Sequence, residues 1–191
     1  MAVLAGDGLL NLAYETAALS FDMAKDTEDI KRAARALKIL GRKAGIYGMI
    51  GGQTADLEAE SDREISGERL LFIHENKTAA LIQAALMIGA VLAGAGEKEI
   101  AAMESAASNI GIAFQIQDDI LDVTGTEEVL GKPVGSDERN HKLTYVSLYG
   151  LEKAKKEVKR MSETALTILS SFENRNEFLE ELVKMLITRE K

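Results

Sequence analysis

Very little in this chain interrupts a helix. Pro133 is the only proline in 191 residues, and Trp is absent. Proline removes an amide donor and clashes with the preceding turn, so its scarcity leaves long stretches free to coil. Apolar residues recur at three- and four-residue spacing, as at Ala165, Ile168, Leu169 and Phe172, and period-two alternation is hard to find. The pattern predicts an all-α fold in a single domain, residues 1–191, long enough for a sizeable core. Helices are expected near 5–23, 27–47, 67–74, 77–95, 98–121, 145–149, 151–172 and 177–188. The glycines Gly48, Gly51 and Gly52 are expected to break or kink the pattern, a polar stretch follows at 58–63, and the longest loop is expected at 123–142.

Charge and cysteine usage narrow the function classes. The formal net charge is −8, which argues against nucleic-acid binding through a general basic surface but leaves room for local Lys sites. The absence of Cys excludes disulfides, thiolate metal sites and a Cys nucleophile, and fits a reducing, cytoplasmic compartment. The first residues, Met1 to Asp7, lack the basic start and apolar run of a signal peptide. The stretch 78–96 carries no charge and is long enough for a membrane span. Its Ala and Gly content and the internal Gln83 favour a buried helix of a protein that is not integral to a membrane. Ala85, Gly89 and Ala93, four residues apart, would let another helix approach closely.

The chemistry concentrates at Phe114-Gln115-Ile116-Gln117-Asp118-Asp119-Ile120-Leu121-Asp122. Asp118 and Asp122 fall one turn apart on one helical face, with Asp119 beside them. Three carboxylates near the negative end of a helix dipole repel one another, and the apolar neighbours predict burial. A cation is therefore expected, and oxygen-only donors favour Mg²⁺ or Ca²⁺ over zinc. Magnesium held by a few carboxylates completes its shell with water and phosphate oxygens, which points to a metal-bridged polyphosphate site. A solvated acidic helix end would carry the same residues.

Other polar groups sit in apolar surroundings. Lys77-Thr78 opens the uncharged helix, where an ammonium, a hydroxyl and free amides can bind phosphate oxygens, or where the pair can serve as a cap. Gln53 and Asp56, one turn apart, can orient a ligand or share a surface hydrogen bond. The expected loop after Asp122 holds Lys132, Asp137, Arg139 and Lys142, suited to closing over a polyphosphate, or simply solvated. His74 is expected to be packed or solvent-facing, too isolated from His141 for a zinc site.

Five segments stand in one order and spacing: Gly6-Asp7-Gly8-Leu9-Leu10, Gly52-Gln53-Thr54-Ala55-Asp56-Leu57, Lys77-Thr78-Ala79-Ala80-Leu81, Phe114 to Asp122, and Gly131-Lys132-Pro133-Val134-Gly135-Ser136-Asp137. Together they resemble the trans-isoprenyl diphosphate synthases, the polyprenyl synthetase family, and most of all its bacterial farnesyl diphosphate synthases. The resemblance implies the all-α isoprenoid (terpenoid) synthase fold, a bundle around a central cavity, here as the C-terminal two-thirds with the N-terminal helices missing.

It also implies roles. Asp118, Asp119 and Asp122 resemble the second Asp-rich motif, which holds Mg²⁺ against the allylic diphosphate. Lys77, Lys132 and Lys142 resemble the diphosphate-binding lysines. Thr78 and Gln115 resemble the groups beside the reacting carbons, and Gln53, Asp56 and Phe114 line the cavity. The implied reaction condenses isopentenyl diphosphate with an allylic prenyl diphosphate (dimethylallyl or geranyl diphosphate) and releases pyrophosphate. A homodimer is implied, with Ala13, Ala17, Ala24 and Ala33 allowing close approach there or facing the chain's own core. The first Asp-rich motif is not in this sequence, so negligible turnover is expected of the chain alone, with self-association, altered packing or a partner fragment at the faces that missing helices would cover. A non-catalytic partner subunit and a terpene cyclase of the same fold are the alternatives.

Overall fold

The computed structural model describes residues 1–61, 65–125 and 143–188. All regular structure among them is helical: α1 (Ala2–Asp22), α2 (Thr27–Ala44), α3 (Met49–Ser61), α4 (Gly67–Ile73), a π-helical turn (His74–Ala79), α5 (Ala80–Leu92), α6 (Glu97–Thr124), α7 (Tyr145–Tyr149), α8 (Leu151–Ser170) and α9 (Glu177–Thr188). The helices pack in succession: α1 on α2, α2 on α5, α5 on α6, α6 on α8, and α9 on both α6 and α8. The π turn lies against α3 and α6.

Local chemistry sets the helix starts. The Asp26 carboxylate accepts the Asp29 amide at 2.8 Å and caps α2. Acidic Glu28 and Asp29 in its first turn and basic Arg42 and Lys43 in its last suit the helix dipole. Ser66 caps α4 by accepting the Arg69 amide at 3.2 Å. At the start of α6, Gly96 N–H donates to the Glu99 carboxylate at 2.7 Å.

Helix α6 is the spine. Its buried residues include Ile100, Ile110, Ala113, Ile116 and Ile120. Ala113, Ile116 and Ile120 meet Leu70, Tyr145, Val158 and Met161 in one core cluster, while Ile110 meets Ala165, Leu169 and Val183 in another. Between α2, α5 and α6, Lys43 Nζ donates to Gln83 Oε1 and, at 2.6 Å, to Glu104 Oε1. That network satisfies Gln83, which is buried at 3% exposure.

Four expectations need correction. Helix α2 ends at Ala44, short of the expected 47, and Gly48 lies in the break that follows, but Gly51 and Gly52 do not interrupt the pattern, because α3 begins at Met49 and runs through them. Their small size serves close backbone approach: a β-carbon at Gly48 would overlap the Lys43 carbonyl oxygen, and one at Gly51 the Ile46 carbonyl oxygen. No break separates 74 from 77, since α4 continues through the π turn into α5. Helix α6 carries on past Leu121 to Thr124, keeping Asp122 helical. The Ala85, Gly89 and Ala93 face points outward, with no atom within 4 Å of a β-carbon at Gly89. Helix α5 instead turns inward the face bearing Ala80, Gln83, Ala84 and Val91, as the Gln83 bond to Lys43 requires. Residues 126–142, with most of the expected loop, lie outside the described residues.

Helix α1 is an edge element. None of its residues is buried, and Val3, Leu4, Leu9, Leu12 and Leu19 are all more than half exposed. Ala13, Ala17 and Ala24 are half-buried, whereas Ala33 is packed into the chain's own core. Among the described residues no helix is long and apolar enough to cross a membrane.

Candidate functional site

The site is organised by the π turn. A π turn widens the helix and shifts the phase of its side chains. Here it carries His74, Lys77 and Thr78 between α3 on one flank and α6 on the other. From α3, the buried Asp56 carboxylate pairs with Lys77 Nζ. From α6, Gln115 Oε1 accepts the Thr78 hydroxyl at 2.9 Å.

One turn further along α6 is Asp119. Its Oδ2 accepts the Tyr145 amide at 2.8 Å and lies 4.0 Å from His74 Nε2. Both Asp119 and His74 are buried. The geometry of α7 explains why that amide is available. Thr144 Oγ1 accepts the Ser147 amide at 3.1 Å, and Ser147 Oγ accepts the Thr144 amide at 2.9 Å. The capping box leaves the Tyr145 amide, a first-turn donor with no partner inside its own helix, to bond Asp119. Burial holds the Tyr145 hydroxyl above its ordinary pKa, with the Glu157 carboxylate and Tyr149 adding to the effect.

Asp56, His74, Lys77, Thr78, Gln115 and Asp119 line one narrow cleft of about 20 Å³. That volume suits about one water molecule. The Asp56–Lys77 pair and the Thr78–Gln115 bond both lie among the cleft's lining residues. An ammonium with three donors, a hydroxyl and an amide set beside carboxylates form a polar anchor for an anion. Lys77 would exchange Asp56 for an incoming oxyanion.

The structure thus joins Lys77, Thr78, Gln115, Asp56 and Asp119 from segments far apart in sequence. Asp118 and Asp122 lie one turn apart near the end of α6, half-buried and buried respectively, and neither lines the cleft. Gln53 on α3 and Phe114 on α6 are half-buried and also do not line it. Lys132 and Lys142 lie outside the described residues. His74, expected from sequence to be packed or solvent-facing, is buried and belongs to the cleft lining. Its only signal was proximity to Lys77-Thr78, which becomes meaningful once the π turn is seen.

Among the described residues no three His, Asp or Glu side chains converge to hold a metal by themselves. The donor set of α6 nevertheless fits a hard cation. It is all carboxylate, it stands at the negative end of a helix, and the chain has no cysteine. Magnesium is commonly held by only one or two carboxylates together with substrate phosphate.

Comparison with known proteins adds a family context. A model described as polyprenyl synthetase matches residues 1–186. The chain is 42% identical to the farnesyl diphosphate synthase of Bacillus subtilis (strain 168), an overlap covering 99% of this chain and 62% of that relative. It is 39% identical to the farnesyl diphosphate synthase of Geobacillus stearothermophilus, covering 83% of this chain and 52% of the relative. Among solved structures, a geranyltransferase from Helicobacter pylori complexed with magnesium and isoprenyl diphosphate matches with a TM-score of 0.76 and 33% identity, covering 97% of this chain and 59% of the other. The chain therefore spans between 52% and 62% of the length of these proteins.

Proposed function

The chain belongs to the polyprenyl synthetase family and has its all-helical isoprenoid synthase fold, and on that premise we propose that the partly exposed Lys77 ammonium beside its cleft binds the diphosphate of an allylic prenyl diphosphate. The reaction it serves is prenyl transfer to isopentenyl diphosphate in isoprenoid biosynthesis. The observation that carries this reading is the convergence of Lys77, Thr78, Gln115 and Asp119 on one cleft.

Lys77 binds the diphosphate oxygens after leaving Asp56, stabilising the negative charge that grows as the allylic C–O bond breaks. The bonding pair departs with pyrophosphate and leaves an allylic cation. Thr78 and Gln115, already bonded to each other at 2.9 Å, orient oxygen lone pairs toward that cation. The alkene of isopentenyl diphosphate attacks it, and the departing pyrophosphate takes the proton. Apolar core residues beside the cleft, Leu70 and Ile73, keep water from the cation. Asp118 and Asp122, with Asp119, would hold Mg²⁺, which when bound neutralises charge on the pyrophosphate. The sequence holds a single Asp-Asp-x-x-Asp segment, so binding is expected of this chain and full turnover is not.

Calorimetric titration with pyrophosphate in Mg²⁺ tests the reading. Lys77→Ala is expected to weaken binding by about tenfold or more, the loss of one charge-assisted contact. Unchanged affinity would contradict the assignment.

The exposed face of α1 supports a homodimer. A groove of about 490 Å³ runs between α1, α2 and α5, lined by Leu9, Leu12, Ala17, Leu40, Ile88 and Leu92 among others. Contiguous apolar surface of this kind marks an interaction face, and we assign it to a second copy in a reducing, cytoplasmic setting. Sedimentation at micromolar concentration should give a dimer, and the double change Leu9→Asp with Leu12→Asp a monomer. A wild-type monomer would overturn the assignment.

A further inference from the structure

The π turn is gripped on both sides by a glycine followed, one turn later on the same helix, by a polar side chain. On α3 the glycine is Gly52 and the polar residue Asp56. A β-carbon at Gly52 would overlap the Lys77 backbone nitrogen and stand 2.6 Å from the Asn76 carbonyl carbon and 2.7 Å from Lys77 Cα. Asp56 holds the side chain of the same Lys77. On α6 the glycine is Gly111 and the polar residue Gln115. A β-carbon at Gly111 would overlap Ala79 Cα and Cβ and stand 3.2 Å from Ala79 N. Gln115 holds the neighbouring Thr78 through its hydroxyl.

Both glycines are buried. The atoms they meet are backbone or Cβ atoms rather than the flexible ends of side chains. Neither contact can be relieved by a rotamer change, so an added methyl must move the turn itself. A displacement of about 1 Å at a positioned group is enough to cost on the order of 100-fold in function. Gly89 supplies the contrast. It lies in α5 with no atom within 4 Å of an added β-carbon.

We propose that Gly52 and Gly111 are positioning residues that pinch the π turn between α3 and α6 and so set where Lys77 and Thr78 enter the cleft. The functional consequence rests on the diphosphate-binding role proposed above; the geometric one does not.

The test is a pair of thermodynamic cycles read by urea denaturation and by pyrophosphate titration in Mg²⁺. The first cycle measures the stability coupling of Asp56 and Lys77, using Asp56→Asn and Lys77→Met, with and without Gly52→Ala. Coupling present in the wild-type background and absent in the Gly52→Ala background is expected. Coupling that persists unchanged would overturn the proposal, whether or not the chain binds pyrophosphate. The second cycle compares Gly52→Ala and Lys77→Ala singly and together. Gly52→Ala should weaken pyrophosphate binding about tenfold or more in the wild-type background and add almost nothing once Lys77 is removed. Additive losses would mark a merely structural glycine. Gly89→Ala should leave binding unchanged.

A wild-type chain that fails to bind pyrophosphate sinks the proposed function, while the first cycle still decides the clamp. Should Gly52→Ala not fold, Gly111→Ala with the Thr78 and Gln115 pair repeats the first cycle. Amide exchange of the wild type provides a readout without any substitution. Protection of residues 74–79 matching that of α5 is expected, and exchange as fast as at the chain ends would refute the clamp.

Discussion

Replacing Asp119 by alanine is expected to lower the stability of the chain by about 2–4 kcal/mol, a fall in Tm on the order of 10 °C for a chain of this size. Asp119 is buried, accepts the Tyr145 amide at 2.8 Å and stands 4.0 Å from the equally buried His74. Removing the carboxylate leaves the Tyr145 N–H without its acceptor and detaches the start of α7 from α6. Burying a donor without a partner costs about 1–3 kcal/mol by itself. The vacated volume beside Ile116 and Ile120 adds to that loss. Asp119→Asn keeps an acceptor oxygen and should recover part of the stability. Urea denaturation of both variants checks this, and an alanine variant as stable as wild type would show that the α6–α7 link is not structural.

Asp122→Asn is expected to act more strongly on binding than on the fold. The carboxylate is buried near the end of α6 at 2% exposure, one turn from Asp118. The substitution keeps the volume and removes the charge. Magnesium needs one or two anionic oxygens from the protein to bridge a diphosphate, so losing one should weaken Mg²⁺-dependent pyrophosphate affinity by about 100-fold. Weak binding measured in EDTA should barely change. An equal loss with and without Mg²⁺ would place Asp122 outside the metal site. Asp119 is thus expected to show its largest effect in denaturation, and Asp122 in titration, although sequence assigns both the same role.

That division was not legible in sequence, and the reason is distance along the chain. The i, i+1, i+4 spacing of Asp118, Asp119 and Asp122 placed them on one helix, and the apolar neighbours indicated the burial of Asp119 and Asp122. The partner of Asp119 is a backbone amide at Tyr145, exposed to it only because Thr144 and Ser147 cap one another. Similarly, Gln83 read as a polar residue in an uncharged helix, but its partner Lys43 belongs to α2. Most helix positions were readable because caps and period are local, as at Thr27, Gly67, Tyr145 and Glu177, where the expected starts match.

Two of the failures come from contacts that local sequence does not show. Gly51 and Gly52 carry low helix propensity and read as part of the break, yet both lie inside α3, and the close approach of the Lys77 backbone makes glycine the residue that fits at 52. The π turn has no local signature in His74-Glu75-Asn76-Lys77-Thr78-Ala79. It lies where α3 and α6 pack against the helical rod. The site therefore depends on residues whose chemistry is visible in sequence, held by residues whose contribution is only steric.

The most direct measurement is pyrophosphate titration of the wild-type chain, with Mg²⁺ and again in EDTA. Saturable one-to-one binding that requires Mg²⁺ is the expected result. Heat that is absent in both conditions, or the same affinity in both, would contradict a magnesium-bridged diphosphate site.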